Sequence, residues 1–364
     1  MRDMPLVSII TVVYNGAGTI EQTIQSVLNQ SYKNIEYIIV DGKSTDGTQE
    51  IIEKYKDSLA YFISEKDDGI YDAMNKGIRQ AKGEIVGIIN SDDWYEAYTV
   101  EKVVQAFAKD SKIGLVHGKI NWIYLDGSVK EQICKPLETL WYQMSAVYHP
   151  TVFVKRKIYE EYGLFDLQYR LSSDYDFILR LYSNHVRFEF IDSILANFRI
   201  GGQSFTNSHT GTRETYQISN KYIAKCDHNK DQYMSFIQNR HKWIAFEDLI
   251  EKNPKVLGKM LNNYFNREIA EIIIFGVGMW GQVCYKATQA LGLTVPFFLD
   301  NIVSGCNRVC EKTVEIKSPR EEFEKSFPVL IAVQNGADQI EKQLEVMGVV
   351  EYVSIGKLRD HYFK

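Results

Sequence analysis

The chain has 364 residues, of which 45% are hydrophobic and 24% are charged, a profile typical of a folded globular protein. Its formal net charge of −5 argues against a nucleic-acid-binding protein, because such proteins carry a basic domain. The sequence has no apolar run of about 18 residues, the length that a transmembrane helix needs. The five cysteines form no C-x-x-C pair, which predicts neither a disulfide framework nor a zinc ribbon and favours a reducing cytoplasm.

Strand and helix patterns alternate over the first hundred residues. Strands are predicted at 7–15, 35–40, 59–64 and 84–90, with helices at 18–30, 45–55 and 69–81. Asp46 is expected to cap the second helix, with Gln49 placed for a capping box. This alternation predicts an α/β fold with a mostly parallel sheet and helices on both faces. The first apolar run has strand length and no cleavage site after it, so no signal peptide is expected.

The pattern is mixed from residue 100 to residue 267. The expected elements are strands over 113–132 with a turn at Asp126 and Gly127, a capped helix at 172–182, and strands at 186–192 and 194–200. Residues 208–267 are polar and helical, with a break at 253–255, and are interpreted as a connector. The predicted domains are therefore 1–207, the connector 208–267, and a small α/β domain over 268–364.

A glycine-rich turn opens the C-terminal domain. After an apolar strand, Gly276, Gly278 and Gly281 form a G-x-G-x-x-G pattern, and Asp300 ends the next strand. This context indicates a Rossmann-like domain, and one interpretation is that it binds a nucleotide or sugar nucleotide at a helix N-terminus. The domain is only about half a dinucleotide-binding domain, which favours the alternative of a scaffold for homo-oligomerisation or partner docking.

Polar segments follow all four strands of the first hundred residues. They lie at 14–16, 41–44, 64–69 and 90–93. Because ligands bind outside the carboxyl ends of parallel strands, these segments are expected to converge on one crevice.

Two adjacent aspartates, Asp92 and Asp93, end the fourth strand. At about 4 Å and an effective dielectric constant of about 20, two such charges repel by about 4 kcal/mol. A divalent cation, Mg²⁺ or Mn²⁺, would relieve the repulsion and would take further ligands from a substrate diphosphate. The alternatives are that Asp92 caps the helix near Tyr98 or that both acids are simply solvated.

A second acidic centre lies at the start of the helix at 172–182. Asp174 shares a helical stripe with the apolar Phe177 and Ile178, where a carboxylate is costly unless it is used or held by the helix N-terminus. Asp176 has a simpler explanation, because Arg180 follows at ion-pair spacing.

These motifs, in this order over about residues 6–205, resemble the family 2 nucleotide-sugar glycosyltransferases with the GT-A fold, in particular a subgroup common in bacterial polysaccharide gene sets. The resemblance implies an inverting, metal-dependent transfer of a sugar from a nucleotide-diphosphate sugar, with a UDP-sugar favoured, to a glycan or lipid-linked glycan. It also implies a cytoplasmic protein that is soluble or peripheral at the inner membrane face.

The resemblance assigns residues to the donor site. That site would contain Thr11, Tyr14, Asn15, Asp41, Asp67, Asn75 and Asp92. Asp92 would face the ribose, and Asp93 would bind the metal. Gly42 replaces the second acid of the family's Asp-Asp-Gly-Ser motif, the residue that reads the uracil edge, and Asp67 is a candidate substitute.

The resemblance also assigns the acceptor side. Asp174 matches the general base of the family's Glu-Asp-Tyr-Asp motif, although Ser173 replaces the glutamate. His149 would contact donor or acceptor, or serve as a structural histidine. Gly201 and Gly202 indicate a tight turn or a lid.

Two other classes of function remain as alternatives. A nucleotidyltransferase would need a glycine-rich, arginine-bearing phosphate loop after the first strand, and this sequence has none. A non-catalytic sugar-nucleotide sensor would not need to keep both acidic centres.

Overall fold

A computed structural model describes residues 4–124, 126–201, 208–301, 305–310, 312–321, 323 and 325–363. The chain forms two compact units, Met1–Ile237 and Gln238–Lys364. The predicted boundaries at 207 and 267 stay predictions, and residues 202–207, which include the predicted Gly202, lie outside the described residues. Within the described ranges, no helix has the length and apolar content needed to cross a bilayer.

The first unit contains a nine-stranded sheet. Its strands are β1 (Val7–Val13), β2 (Ile35–Asp41), β3 (Tyr61–Ser64), β4 (Ile85–Asn90), β5 (Trp94–Tyr95), β6 (Ile113–Ile123), β7 (Val129–Gln132), β8 (Phe153–Lys155) and β9 (Arg187–Arg199). The strand order is β3-β2-β1-β4-β8-β6-β9-β5, and β7 pairs with β6. Strands β1 to β4 are parallel to one another, as the alternating pattern predicts. The α/β fold class expected from the sequence is confirmed.

Helices connect the strands and continue after the sheet. They are α1 (Ile20–Leu28), α2 (Thr48–Glu53), α3 (Ile70–Gln80), α4 (Thr99–Lys109), α5 (Arg156–Tyr162), α6 (Ser173–Tyr182), α7 (Ser208–Tyr222), α8 (Lys230–Lys252), α9 (Lys255–Phe265), α10 (Met279–Leu291), α11 (Ala337–Val346) and α12 (Ile355–Tyr362). The predicted break at 253–255 separates α8 from α9.

Apolar residues are buried on both faces of the first sheet. Ile9 and Ile10, which are consecutive in β1, belong to two different core clusters, and so do Ile38 and Ile39 in β2. Successive side chains of a strand point to opposite faces, so a strand covered on both sides must be apolar throughout. This explains why these strands read as unbroken apolar runs.

Two local predictions were wrong. The segments 186–192 and 194–200 form one strand, β9, whose pairing with β6 shifts register beside Gly118 and Lys119. A bulge bends a strand without ending it, which a break in the apolar pattern does not reveal. The second helix begins at Thr48 with Gly47 at its N-cap, while Gln49 donates to the Ser44 carbonyl instead of closing a capping box.

The second unit has a six-stranded sheet of order β12-β13-β11-β10-β14-β15. Its strands are β10 (Ile273–Phe275), β11 (Phe298–Leu299), β12 (Gly305–Val309), β13 (Lys312–Lys317), β14 (Val329–Ile331) and β15 (Tyr352–Ser354). All neighbours are parallel except β12 and β13. Its core includes Trp243 and Phe246 of α8 and Leu257 of α9.

Candidate active site

A cavity of about 340 Å³ lies at the carboxyl ends of β1 and β4. Four of the predicted donor-site residues line it, namely Tyr14, Asn15, Asp67 and Asp92. Tyr14 is 64% exposed, so its ring is available to a ligand in this cavity. The convergence of strand ends predicted from the sequence brings these four residues together.

The loop after β1 is fixed by the loop after β2. Asn15 has a positive φ of 51°, its N–H donates to Ser44 Oγ at 2.7 Å, and its Oδ1 accepts the Thr45 N–H at 2.9 Å. Asp46 accepts the N–H groups of Ala17 and Thr48, so its carboxylate joins the two loops. The cavity edge around Tyr14 is therefore held before any ligand binds.

Two predicted donor-site residues lie beneath the cavity and do not line it. Asp41 is fully buried, and its carboxylate accepts the hydroxyl groups of Ser44 and Ser64, each at 2.5 Å. Thr11 is fully buried in β1, with its hydroxyl 3.1 Å from that of Tyr37. Asp41 thus links the loop after β2 to the end of β3, and Thr11 links β1 to β2.

Asp67 lies directly over Gly42. A Cβ atom added to Gly42 would be 2.5 Å from Asp67 Oδ2 and 3.4 Å from Tyr14 Cβ. Asp67 Oδ1 accepts the Gly69 N–H at 3.0 Å, and no described residue donates a hydrogen bond to Oδ2. Burial raises the pKa of Asp67. The Asp67 carboxylate thus fills the space that a longer side chain at position 42 would need.

Asp92 and Asp93 occupy different environments. Asp92 lines the cavity, and no other described residue donates a hydrogen bond to its carboxylate. Asp93 is fully buried; its Oδ1 accepts the Arg199 N–H at 3.1 Å, and its Oδ2 has no partner among the described residues. Burial raises the pKa of both acids, and the charge of Asp92 raises that of Asp93 further.

This placement disagrees with the metal assignment made from the sequence. The two residues lie in a turn after β4, in which the Asp93 N–H donates to the Asn90 carbonyl at 3.2 Å, and the turn leaves one of them facing the cavity. That residue is Asp92, while Asp93 points into the protein. The sequence shows that the two aspartates are adjacent, but it does not show which of them faces the cavity.

Arg199, at the end of β9, supports the aspartate pair and was missed by the sequence reasoning. Its Nη1 donates to the Asp92 carbonyl at 2.7 Å, and its guanidinium lies 4.7 Å from the centre of the Trp94 ring. More than 100 positions separate Arg199 from Asp92, and no local spacing signals such a contact.

A second cavity, of about 100 Å³, contains Asp174 and His149. It shares Ile70, Asn90 and Phe198 with the walls of the first cavity, so the two adjoin. Asp174 Oδ1 accepts two hydrogen bonds of 2.9 Å, from the Tyr71 hydroxyl and the Tyr175 N–H. No described residue donates to Asp174 Oδ2. One oxygen of this carboxylate is therefore oriented and the other is open to a ligand.

The pKa values of Tyr71 and His149 are shifted by their burial beside Asp174. Burial, followed by the charge of Asp174, raises the pKa of Tyr71 well above its usual value, which keeps the phenol protonated as a donor. Burial lowers the pKa of His149 although the charge of Asp174 opposes that shift. Tyr71, like Arg199, was not predicted as a site residue.

Asn75 and Asp176 bind protein groups. Asn75 is buried, and its amide makes two hydrogen bonds with the backbone of Phe165, at 2.9 and 3.0 Å, so it lines neither cavity. Asp176 is fully buried and pairs with Arg180 at 2.6 Å and with Lys221 at 2.9 Å. The predicted pair of Asp176 with Arg180 is confirmed.

In the second unit, the glycine-rich turn follows β10, and Asp300 follows β11, the strand that pairs with β10. Gly276 has a positive φ of 102°, and a Cβ atom on Gly281 would lie 2.0 Å from the Gly276 carbonyl oxygen. A Cβ atom on Gly278 would meet nothing within 4 Å. Asp300 Oδ2 accepts the Val277 N–H at 3.2 Å, so the acid already binds the turn. The structure brings the four predicted residues together, and their ligand stays a prediction.

Comparison with known proteins identifies the class. Residues 8–162 match the model of glycosyl transferase family 2. An uncharacterised glycosyltransferase of Rickettsia typhi is 30% identical over 226 residues, which are 58% of this chain and 70% of that protein. A PGL/p-HBAD biosynthesis glycosyltransferase of Mycobacterium bovis is 29% identical over 184 residues, or 50% and 71% of the two chains. The chain belongs to glycosyl transferase family 2, which confirms the resemblance seen in its motifs.

Solved structures show the same fold. S. aureus TarS 1–349 in complex with UDP has a TM-score of 0.54 at 20% identity, over 71% of this chain and 79% of that chain. The mannosyltransferase PcManGT from Pyrobaculum calidifontis, in complex with GDP-Man and Mn²⁺, has a TM-score of 0.50 at 18% identity, over 66% and 74% of the chains. Asp174 lies beyond the residues matched by the family model, so its role is argued from geometry.

Proposed function

We propose that the protein is an inverting, metal-dependent glycosyltransferase that moves a sugar from a nucleotide-diphosphate sugar to a hydroxyl group of a glycan. The observation that carries the proposal is the pair of adjoining cavities, one lined by Asp92 and the other by Asp174. The first has the size and position for the donor, and the second places an open carboxylate oxygen next to it. The family's work in polysaccharide assembly fits a glycan acceptor.

The base of the donor would lie between Tyr14 and Asp67. The exposed Tyr14 ring offers a stacking surface, and Asp67 Oδ2 offers an acceptor for an N–H group of the base. A pyrimidine imide, as in UDP, or the amide edge of guanine, as in GDP, presents such an N–H. UDP-sugars stay the favoured donors, with Asp67 in the role that the missing acid at position 42 would have had.

The residues present fit a divalent cation. Asp92 is a cavity-lining carboxylate with a pKa raised by burial and no hydrogen-bond donor from another described residue. Mg²⁺ and Mn²⁺ bind at such oxygens and complete their coordination with water and phosphate oxygens. Asp92 would hold the ion, which would supply positive charge to the diphosphate as it leaves. Asp93 would support this segment from behind through the Arg199 backbone.

Asp174 would act as the general base. Its Oδ1 is held by Tyr71 and Tyr175, so Oδ2 is free to accept the proton of the acceptor hydroxyl. As that proton moves, the acceptor oxygen bonds to the anomeric carbon, and the carbon–oxygen bond to the diphosphate breaks on the opposite side. The leaving diphosphate keeps the bonding electron pair, and the configuration at the anomeric carbon inverts.

Substitution at Asp174 tests this mechanism. Asp174→Asn should lower transfer from the best UDP-, GDP- or dTDP-sugar at least about 100-fold, because it removes the base. Tyr71→Phe should lower transfer about tenfold by releasing Oδ1. Release of nucleoside diphosphate measures the rate, and NMR of the product gives the anomeric configuration.

The matched control is Glu160→Gln, an amide replacement at an exposed acid of α5 that lines neither cavity. It should keep the wild-type rate. Wild-type turnover by Asp174→Asn, or retention of configuration in the product, would contradict the proposal.

A further inference from the structure

Glu214, in α7, is a buried acid that the sequence did not single out. Only 7% of its surface is exposed. Its Oε1 accepts the Arg170 N–H at 2.7 Å, and its Oε2 accepts the Leu171 N–H at 2.9 Å. A buried carboxylate is costly unless such charge-assisted bonds hold it, so both oxygens are committed to two consecutive backbone amides.

The backbone that Glu214 holds is a wall of the site. Arg170 and Leu171 line the cavity around Asp174. They also line an outer groove of about 820 Å³ that continues from this cavity to Thr210. The groove and the cavity share Ile70, Tyr71, Arg170 and Leu171, so an acceptor hydroxyl could approach Asp174 along this side.

Helix α7 holds the chain on both sides of Asp174. Glu214 binds the backbone three and four residues before it, and Lys221 binds the Asp176 carboxylate two residues after it, at 2.9 Å. The hydroxyl group of Tyr175, the residue between Asp174 and Asp176, lies 3.0 Å from that of Ser219, also in α7. The residues on both sides of Asp174 are thus held by a helix that lies outside the matched family segment.

We propose that Glu214 is a positioning residue. It holds the backbone of Arg170 and Leu171, and with it Asp174, in the correct position relative to the donor cavity. This inference rests on the function proposed above. A misplacement of about 1 Å at a reacting group costs about 100-fold in rate, so a backbone anchor this close to the base should matter for transfer and not for donor binding.

Glu214→Gln in the full-length protein tests the proposal. The glutamine keeps one acceptor but turns an N–H₂ group toward one of the two amides, which breaks one anchor with little change in volume. With methyl glycosides as acceptors, the release of UDP from a UDP-sugar should fall at least about tenfold. Release with water as the acceptor gives the background rate. The dissociation constant of UDP with Mn²⁺ should change less than about twofold.

Ile218→Val is the matched structural control. Ile218 is fully buried in the same helix and lines neither cavity, so its shortening should lower the melting temperature and leave the transfer rate at 25 °C unchanged. A wild-type rate in Glu214→Gln, or a loss of rate equal to that of Ile218→Val at equal loss of stability, would overturn the inference. If the wild-type protein neither binds nucleotide nor releases UDP, it is the proposed function that fails.

Discussion

At the scale of single residues, the orientation of Asp92 and Asp93 leads to opposite expectations for the same chemical change. Asp92→Asn should weaken Mn²⁺-dependent binding of a nucleoside diphosphate at least about tenfold, because it removes a carboxylate from the cavity. Asp93→Asn should leave that binding within about twofold, because Oδ1 can still accept the Arg199 N–H. Isothermal titration with UDP, with and without Mn²⁺, measures both. If Asp93→Asn weakened this binding and Asp92→Asn did not, Asp93 would be the metal ligand.

Asp93 also predicts a dependence of stability on pH. Its pKa in the folded protein is raised well above the usual 3.8, so the folded state binds the proton more tightly than the unfolded state does. The stabilisation from this group is present at low pH and is lost as pH rises through the folded pKa. The free energy of unfolding of Asp93→Asn, relative to that of the wild type, should therefore increase as the pH rises above about 4. A difference that stays constant with pH in denaturant titrations would show that Asp93 ionises normally.

Gly42 and Asp67 should be coupled. Gly42→Asp alone places a new side chain 2.5 Å from the Asp67 carboxylate and adds a like charge, so it should abolish detectable UDP binding. Asp67→Gly alone removes the acceptor for the base and should weaken UDP binding at least about tenfold. The double variant Gly42→Asp/Asp67→Gly should recover most of the affinity, because one acid again occupies the space. Additive losses in a double-mutant cycle of UDP affinity would show that the two positions act independently.

At the scale of secondary structure elements, the sequence predicted strands more reliably than their ends and connections. Strands β1 and β4 were visible because both of their faces are buried, which makes each a nearly continuous apolar run. The bulge in β9 and the start of α2 were not, because both depend on pairing with distant segments. The same limit applies to the site: Asp174 was found by its helical stripe, whereas Tyr71 and Glu214 act on it from about 100 and 40 positions away.

The glycine-rich turn provides a prediction at this scale. A Cβ atom on Gly281 would collide with a backbone carbonyl at 2.0 Å, which no side-chain movement can relieve. Gly281→Ala should therefore lower the free energy of unfolding of the second unit by about 2 to 3 kcal/mol. Gly278→Ala is the control, since its Cβ atom would meet nothing within 4 Å and its φ of −66° suits alanine. Equal stability of the two variants by calorimetry would contradict the packing role of Gly281.

At the scale of the whole molecule, each unit has a core of its own. The core of the first unit includes Ile218 of α7 and Ile237 of α8, and that of the second includes Trp243 and Leu261. The segment 208–267, interpreted from its polar helical pattern as one connector, therefore supplies buried residues to both units. Composition could not show this division, because it depends on which face of each helix finds an apolar partner.

Two cores predict two unfolding transitions in differential scanning calorimetry, and ligands should separate them. UDP with Mn²⁺ at about 100 times its dissociation constant stabilises the state that binds it by about 2.7 kcal/mol, and only the transition of the first unit should move. Gly281→Ala, which acts on the second unit, identifies the other transition. NAD(H) should leave both transitions in place, because the predicted domain 268–364 is only about half the size of a dinucleotide-binding domain. A shift of the second transition by NAD(H) would instead make the C-terminal domain a nucleotide-binding module, with the Gly276–Gly281 turn as its phosphate site.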